Sequence, residues 1–360
     1  MTKLFVTGST GFIGGDALYA IVTTHPEYEI TALVRNSDKG AQVAAQHPSI
    51  KFVYGDLDSE IILEEEAKKA DVVCHFAHAD HEVAARAMIK GIIAGHSTEN
   101  PGFLIHTSGT GILLFADIRS QTFGEALGQD VYDDLEGVAA VTSLPDDAPH
   151  REVDKIVLAA GTEHAGSVKT AIVCPPTIYG TGRGPAKTRS HQVPELARST
   201  LEKGHGIQVN AGQTYWGNVH IHDLSALYLK LVEEAAAGGK TADWQGKPAV
   251  WGAEGYYFCE NGEHVWGDVS KWIAAEAYKQ GLITSDEVKN MSIEEANKCT
   301  PQGAALWGAN SRAVAKRAKA VLNWEPKFAS LKDTIKEAVE LEGKNLGLVK
   351  GHAEKAAGKA

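Results

Sequence analysis

Cysteine is scarce in this chain: four in 360 residues, at positions 74, 174, 259 and 299. None stands in a C-x-x-C pair, so the spacing of a zinc or dithiol site is missing. Cys74 and Cys174 lie inside apolar runs, where a free thiol serves as a small core side chain. This usage fits a reducing compartment. Basic charge is also in short supply. Lys and Arg number 35 against 46 Asp and Glu, a net charge of −11. That balance disfavours both a nucleic-acid partner and docking on an anionic membrane. No apolar run is long enough to span a bilayer. The opening stretch, Met1 to Gly8, enters a short strand-like run and a turn rather than a secretory signal. The expectation is a soluble cytoplasmic protein whose partner is a small molecule.

The rest of the composition is ordinary, with 43% hydrophobic and 22% charged residues, and the length suits one large or two ordinary domains. Along the first half, short β-branched runs alternate with helical patterns. Strands are expected at 4–7, 29–34, 51–54, 71–77, 102–106 and 169–174. Helices are expected at 13–24, 38–46, 60–69 and 84–94 and across 153–160. Such alternation predicts an α/β fold, a doubly wound parallel sheet covered by helices on both faces. After residue 180 the chain becomes glycine-rich and irregular. A strand and helix return at 218–231. Helices are then expected at 265–280, 285–299, 311–321 and 330–342, and the tryptophans cluster here. The domain reading is a nucleotide-binding lobe of residues 1–180 and 218–250. A smaller, mostly helical substrate lobe takes residues 181–217 and 251–346, followed by a fraying tail, 347–360.

The most informative segment is Thr7-Gly8-Ser9-Thr10-Gly11-Phe12-Ile13-Gly14, between the first strand and first helix. Gly8 allows a tight turn, Gly11 lets the backbone approach a diphosphate, and Gly14 lets helix and strand pack closely. The N–H groups of Thr10 to Gly14 then face the phosphates with the positive end of the helix dipole. The second strand ends at Arg35, where an acidic residue would hold the ribose 2′-hydroxyl of NAD. An arginine there can pair with a 2′-phosphate, which favours NADP(H) over NAD.

These residues resemble the extended or atypical branch of the short-chain dehydrogenase/reductase superfamily, which includes NAD-dependent epimerases and dehydratases. Thr7 to Gly14 matches its T-G-x-x-G-x-x-G fingerprint. Gly55-Asp56-Leu57 matches its adenine site, and His75-Phe76-Ala77-His78-Ala79 its H-x-A-A segment beside the cofactor. Pro175-Pro176-Thr177-Ile178-Tyr179-Gly180 is similar to its R-P-x-x-V-Y-G segment near the nicotinamide, and Asn218 to Leu224 to its F-V-H-V-D-D-L. The resemblance implies a Rossmann lobe with the substrate pocket between it and the C-terminal lobe. It implies cofactor contacts at Asp56, Leu57, Ala77, His78, Pro175 and Thr177. It also implies catalysis by a Ser or Thr with a Y-x-x-x-K pair. A homodimer follows by the same analogy.

Ser108, at the end of the fifth strand, takes the place of the family's hydroxyl, with Thr107 and Thr110 as competitors. The helix that should carry Y-x-x-x-K instead reads Pro149-His150-Arg151-Glu152-Val153-Asp154-Lys155. One register sets Arg151 and Lys155 in the motif's places; the other sets His150 and Asp154 there. His150 can exchange protons near neutrality. Arg151 stays charged and can stabilise an oxyanion. Lys155 can hold the nicotinamide ribose. Tyr132 is a further source of a phenol, while Tyr179 reads as a packing residue. His75, His78 and His81 match no metal-ligand spacing, and no metal is expected. Trp216, Trp251, Trp266, Tyr256 and Tyr257 read as core or as a pocket wall. Arg183, Lys187 and Arg189 read as a solvated loop or as an anion-attracting rim. The functional expectation is an NADP(H)-dependent oxidoreductase acting on a small carbonyl or hydroxyl compound. The alternatives are a non-catalytic NADP(H)-binding redox sensor or scaffold, and an epimerase- or isomerase-like enzyme.

Overall fold

The computed structural model describes residues 1–126, 130–239 and 248–349. The buried apolar runs form β1 (Lys3–Thr7), β2 (Glu29–Val34), β3 (Lys51–Tyr54), β4 (Val72–His75) and β5 (Gly102–Thr107), with α1 (Phe12–Thr24), α2 (Ser37–Gln46), α3 (Glu60–Lys69) and α4 (Glu82–Gly95) between them. Next come α5 (Phe115–Ser120), β6 (Tyr132–Asp133), α6 (Val138–Thr142), α7 (Arg151–Glu163), β7 (Val168–Cys174) and β8 (Thr177–Tyr179). The chain continues through α8 (Gln192–Lys203), β9 (Gly206–Val209), β10 (Tyr215–His220), α9 (Ile221–Ala236), β11 (Tyr256–Phe258), β12 (Glu263–Val265) and α10 (Trp266–Lys279). It closes with β13 (Val288–Met291), α11 (Ile293–Cys299), α12 (Gly303–Gly308), β14 (Ala313–Val314), α13 (Arg317–Leu322) and α14 (Leu331–Asn345).

Seven strands make one parallel sheet in the order β3-β2-β1-β4-β5-β7-β11. The central strands β4 and β5 are buried at every residue, as strands covered on both faces must be, while the edge strand β3 is only partly covered. The doubly wound sheet with its Rossmann-type order is the architecture expected. The order reverses between β1 and β4, which opens a ligand crevice beyond their carboxyl ends.

Two apolar cores are present. One fills the sheet and its helices; the other gathers Phe123, Leu196, Trp266, Ile273, Trp307 and Ile335 in the second lobe. Four expectations need correction. Tyr256–Phe258 pairs with β7 and completes the large sheet instead of joining the second lobe. Ala315, Ala318, Leu322 and Trp324 likewise pack in the first core. The helix expected at 285–299 is a strand, β13, followed by the short α11. Its first half pairs in parallel with Gly206–Val209, and a cross-strand partner overrides local propensity. The stretch 311–321 similarly splits into β14 and α13. Of the expected domain pieces, residues 240–247 and 350–360 lie outside the described residues.

A buried charge clamps the lobes around the crevice. Asp16 of α1 is fully buried and accepts hydrogen bonds from the Arg183 backbone N–H (2.7 Å), its Nε (3.1 Å) and Nη2 (2.6 Å), and from Ser225 Oγ of α9 (2.6 Å). Arg183, expected in a solvated loop, also stacks over Tyr19. The Arg183 side chain is 32% exposed, so solvent softens its loss. Arg183→Ala strands a buried carboxylate and is expected to cost roughly 3 kcal/mol, the low end for a broken buried pair. Urea unfolding monitored by tryptophan fluorescence measures it; an unchanged midpoint contradicts the clamp.

Candidate active site

The crevice is built first from backbone. Gly8 has φ +80°, and a Cβ there would lie 2.7 Å from the Phe76 carbonyl carbon, so only glycine fits. At Gly11, the N-cap of α1, a Cβ would meet only the Gly8 carbonyl oxygen, at 3.1 Å, and would project into open space. No side chain caps α1, and its first turn carries no acidic residue. Its leading N–H groups therefore face a groove of about 770 Å³ lined by Gly11, Phe12, Ile13, Phe76 and the 186–192 segment. Ser9 Oγ, in the turn after β1, and Thr177 Oγ1, at the start of β8, are buried and have no hydrogen-bond partner. An uncapped helix end over an open groove fits a dinucleotide's diphosphate.

The other expected cofactor residues sit along the same carboxyl edge of the sheet, because the strands pair in parallel and in step. Thr10 opens the turn half-buried. Arg35 follows β2, exposed. Asp56, after β3, is also exposed and accepts from Ser59 Oγ (2.9 Å) and the Asp58 N–H (3.1 Å), with Leu57 half-buried beside it. Ala77 and His78 follow β4, and His78 Nδ1 accepts the Asp80 N–H at 3.0 Å. Pro175 is buried at the end of β7.

Beyond the groove lies a second cluster. Ser108 follows β5, held by its N–H to the Val173 carbonyl at 2.8 Å. Its competitors are occupied: Thr107 Oγ1 pairs with Tyr228 OH (2.7 Å), and Thr110 Oγ1 accepts Trp216 Nε1 (3.1 Å). The Ser108 hydroxyl is buried against the Asp154 carboxyl, whose pKa it lowers. Beside Gly109, the next residue, is His150, the N-cap of α7, in the left-handed conformation at φ 64°. That conformation is strained for a residue with a Cβ. It carries the imidazole over Gly109 and Gly111, where a Cβ would lie 3.2 and 3.0 Å from Nε2. Nδ1 bonds Asp80 Oδ1 at 2.6 Å. Burial opposes a charged imidazole here, but the Asp80 bond and the charges of Asp80 and Asp154 outweigh it and raise the His150 pKa. The same bond holds Asp80 below the usual carboxylate range.

One turn along α7, Asp154 is wholly buried. Tyr256 OH donates to its Oδ2 at 2.8 Å, and Oδ1 lies 4.0 Å from His106 Nε2. Burial pushes its carboxyl up to about 6, against the lowering effect of Tyr256 and Ser108. His106 stacks on His75 at 5.3 Å, and Thr7 Oγ1 pairs with His75 Nδ1 at 2.6 Å. Burial drives His75 down to about 4 and His106 well below its usual value, so both rings are neutral at physiological pH.

Three residues expected in the site lie elsewhere, two of them for one reason. The inward face of α7 is the His150–Asp154 register, so Arg151 and Lys155, one residue on, rotate away from it. Arg151 is buried and gives Nε to the Leu144 carbonyl (3.0 Å) and Nη2 to that of Thr142 (2.6 Å), bracing the preceding segment. Lys155 pairs with Asp146 at 2.8 Å and lines an outer groove with Glu82 and Arg86, away from the nicotinamide edge. Tyr132 is fixed in β6 by pairing with β14 and packs on the first core, with its phenol pKa raised by burial. Sequence reasoning missed Asp80 and gave Asp154 no role; the i, i+4 spacing of His150 and Asp154 was the available signal. Tyr179 packs in the second core, as expected.

His150, Gly109, Gly111 and Asp80 form one wall of a cleft of about 610 Å³ whose far side is Trp216 and α12. The cleft and the dinucleotide groove share Pro176 and Gln192. Of the tryptophans and tyrosines in question, Trp216 lines the cleft, whereas Trp251, Trp266, Tyr256 and Tyr257 are core.

This geometry agrees with what the chain is similar to. The profile of the NAD dependent epimerase/dehydratase family matches residues 4–245. The oxidase ucsJ of an Acremonium species is 41% identical over 347 residues, 96% of this chain and 99% of that one. Among solved structures, dTDP-glucose 4,6-dehydratase from Bacillus anthracis, in complex with NAD, superposes with a TM-score of 0.65 at 17% identity, covering 96% of this chain and 97% of the other. UDP-glucose 4-epimerase from Thermotoga maritima, with UDP-glucose, gives 0.63 at 14% identity over 96% and 100%. These two share the fold. No described helix is long and apolar enough to cross a membrane.

The Asp154 carboxyl yields a stability test. A buried acid whose folded pKa of about 6 exceeds its unfolded value withdraws stability as pH rises between the two. Asp154→Asn keeps an acceptor for Tyr256 and removes the charge. The variant should match the parent's Tm at pH 4, exceed it increasingly up to about pH 6 and keep a level advantage above that. A constant or negative difference in scanning calorimetry contradicts the assignment.

Proposed function

The chain belongs to the NAD dependent epimerase/dehydratase family, and on that premise we propose that it is an NADP(H)-dependent oxidoreductase in which His150 exchanges the substrate proton. The observation that carries this reading is the Asp80–His150 pair in the cleft wall, over Gly109 and next to the end of β5, where the dinucleotide groove and the cleft share Pro176 and Gln192. The 41% identical relative named an oxidase supports a redox reaction over a purely structural role.

When bound, the nicotinamide accepts or supplies the hydride. The chain's own groups handle the proton. In the oxidative direction Ser108 orients the substrate hydroxyl, His150 Nε2 takes its proton, and Asp80 holds the opposite ring nitrogen. The imidazolium that forms is stabilised by the carboxylate behind it. In reduction the same group returns the proton to the nascent alkoxide. Arg35, exposed at the end of β2 and in no ion pair among the described residues, is the group that selects the 2′-phosphate of NADP(H).

His150→Ala should lower kcat by about 10²–10⁴, the range for a lost general acid–base, while NADPH fluorescence titration gives the parent's affinity. Asp80→Asn lowers the His150 pKa, so the rising limb of kcat/KM for alcohol oxidation should move to lower pH. A limb that stays in place removes the proton role from His150. Arg35→Ser should weaken NADPH by about 10-fold or more, the worth of a charge-assisted hydrogen bond, and leave NADH untouched. Equal losses for both cofactors contradict the 2′-phosphate assignment.

A further inference from the structure

The electrostatics of the cleft narrow the substrate, on the premise that the oxidoreductase reading holds. Among the described residues, the lining contains no lysine or arginine. Its only ionisable groups, Asp80 and His150, are bonded to each other. Leu114, Ile118, Phe123, Trp216, Ile293 and Leu306 supply the apolar wall. The side-chain amides are partly spent within the fold: Gln121 Nε2 donates to the Ile118 carbonyl (2.7 Å), Gln192 Nε2 to that of Leu306 (3.0 Å), and Asn297 Oδ1 accepts the Ala304 N–H (3.0 Å). Trp216 is fixed by its indole N–H to Thr110, so its ring is a rigid surface.

Nearby cations are committed elsewhere. Arg119, on the same short helix as Ile118, is held by Asp147. Arg189 bridges Glu195 and Glu342, and with Lys187 it lines the dinucleotide groove rather than the cleft. A diphosphate drawn into the cleft would lose water and gain no counter-charge, and that desolvation costs several kcal/mol per ion. The volume suits a molecule of two or three fused rings.

We propose that the cleft takes an uncharged, predominantly hydrophobic alcohol or ketone, reacting at a single oxygen held at His150, and rejects nucleotide-linked sugars and other phosphorylated compounds. The substrates named for the two structural neighbours therefore do not fit this chain's pocket, although the fold is shared.

The test is binding, not turnover. The full chain saturated with NADP⁺ is examined by saturation-transfer NMR against 1-tetralone, 2-decalone, dTDP-glucose and UDP-glucose. The two ketones should give saturable signals that disappear in Ala305→Trp and Ile118→Trp, which fill the cleft from two different helices. The two nucleotide sugars should give none. NADPH affinity at the parent value shows that each variant is folded. A saturable nucleotide-sugar signal removed by either tryptophan, or silent ketones, overturns the proposal. The measurement is repeated in His150→Ala. Ketone binding there, with no turnover by the parent protein, would sink the oxidoreductase reading and leave the cleft chemistry standing.

Discussion

The bond from His150 to Asp80 joins residues seventy positions apart and fixes the geometry on which the rest of the site depends. It ties the loop after β4 to the N-cap of α7. His150 occupies a left-handed backbone well, at a cost of about 1–3 kcal/mol for a side chain with a Cβ. A charge-assisted hydrogen bond contributes about 1.5–3 kcal/mol, enough to offset it. The strain has a geometric result: the imidazole is carried over two glycines. A Cβ at 109 or 111 would lie 3.2 or 3.0 Å from Nε2 and would push the ring aside. On the proposed role of His150, the glycines after β5 thus help to set where its proton is exchanged.

What was legible in the sequence follows the same division between local and distant causes. The sheet could be read because β1, β2, β4 and β5 are continuous apolar runs bounded by turns, and the phosphate turn because Gly8, Gly11 and Gly14 act within one strand–turn–helix unit. Ser108 was legible as the residue after a strand. The partner of His150 was not, because Asp80 is brought to it only by the pairing of β4 with β5 and the packing of α4 against α7. Arg151 and Lys155 were misplaced because helix register relative to the sheet depends on the cap conformation, and nothing in the pattern of residues 149–155 announces φ 64° at His150. Tyr256–Phe258 was assigned to the wrong lobe because three residues are too few to show a period. The helix expected through 288–291 failed because its strand partner, 206–209, lies eighty residues upstream.

The trench formed by groove and cleft is electrically uneven along its length. At the dinucleotide end stand an uncapped helix terminus, Lys187 and, after β2, Arg35. At the cleft end, among the described residues, the charges cancel in one hydrogen-bonded pair. A chain with net charge −11 repels anions at long range, so the local positive field at the groove does the work of directing the diphosphate to one end. The same contrast keeps a neutral substrate from competing for the phosphate site. Orientation of the two reactants thus rests on field as well as on shape.

The residues at the places of the family's tyrosine and lysine make sense as a pair and not singly. A phenol is neutral as an acid and anionic as a base, so a neighbouring cation helps it release its proton. An imidazole is neutral as a base and cationic as an acid, so a neighbouring cation would hinder it and an anion helps it hold the proton. Replacing tyrosine by His150 while keeping lysine at 154 would bury two positive charges together. Asp154 removes that conflict, and its charge raises the His150 pKa alongside that of Asp80. The cost falls on Asp154 itself, whose buried carboxyl is pushed up to about 6. Asp154 and His150 therefore titrate as a coupled pair, in which charge on the ring favours the ionised carboxylate and charge on the carboxylate favours the ring's proton.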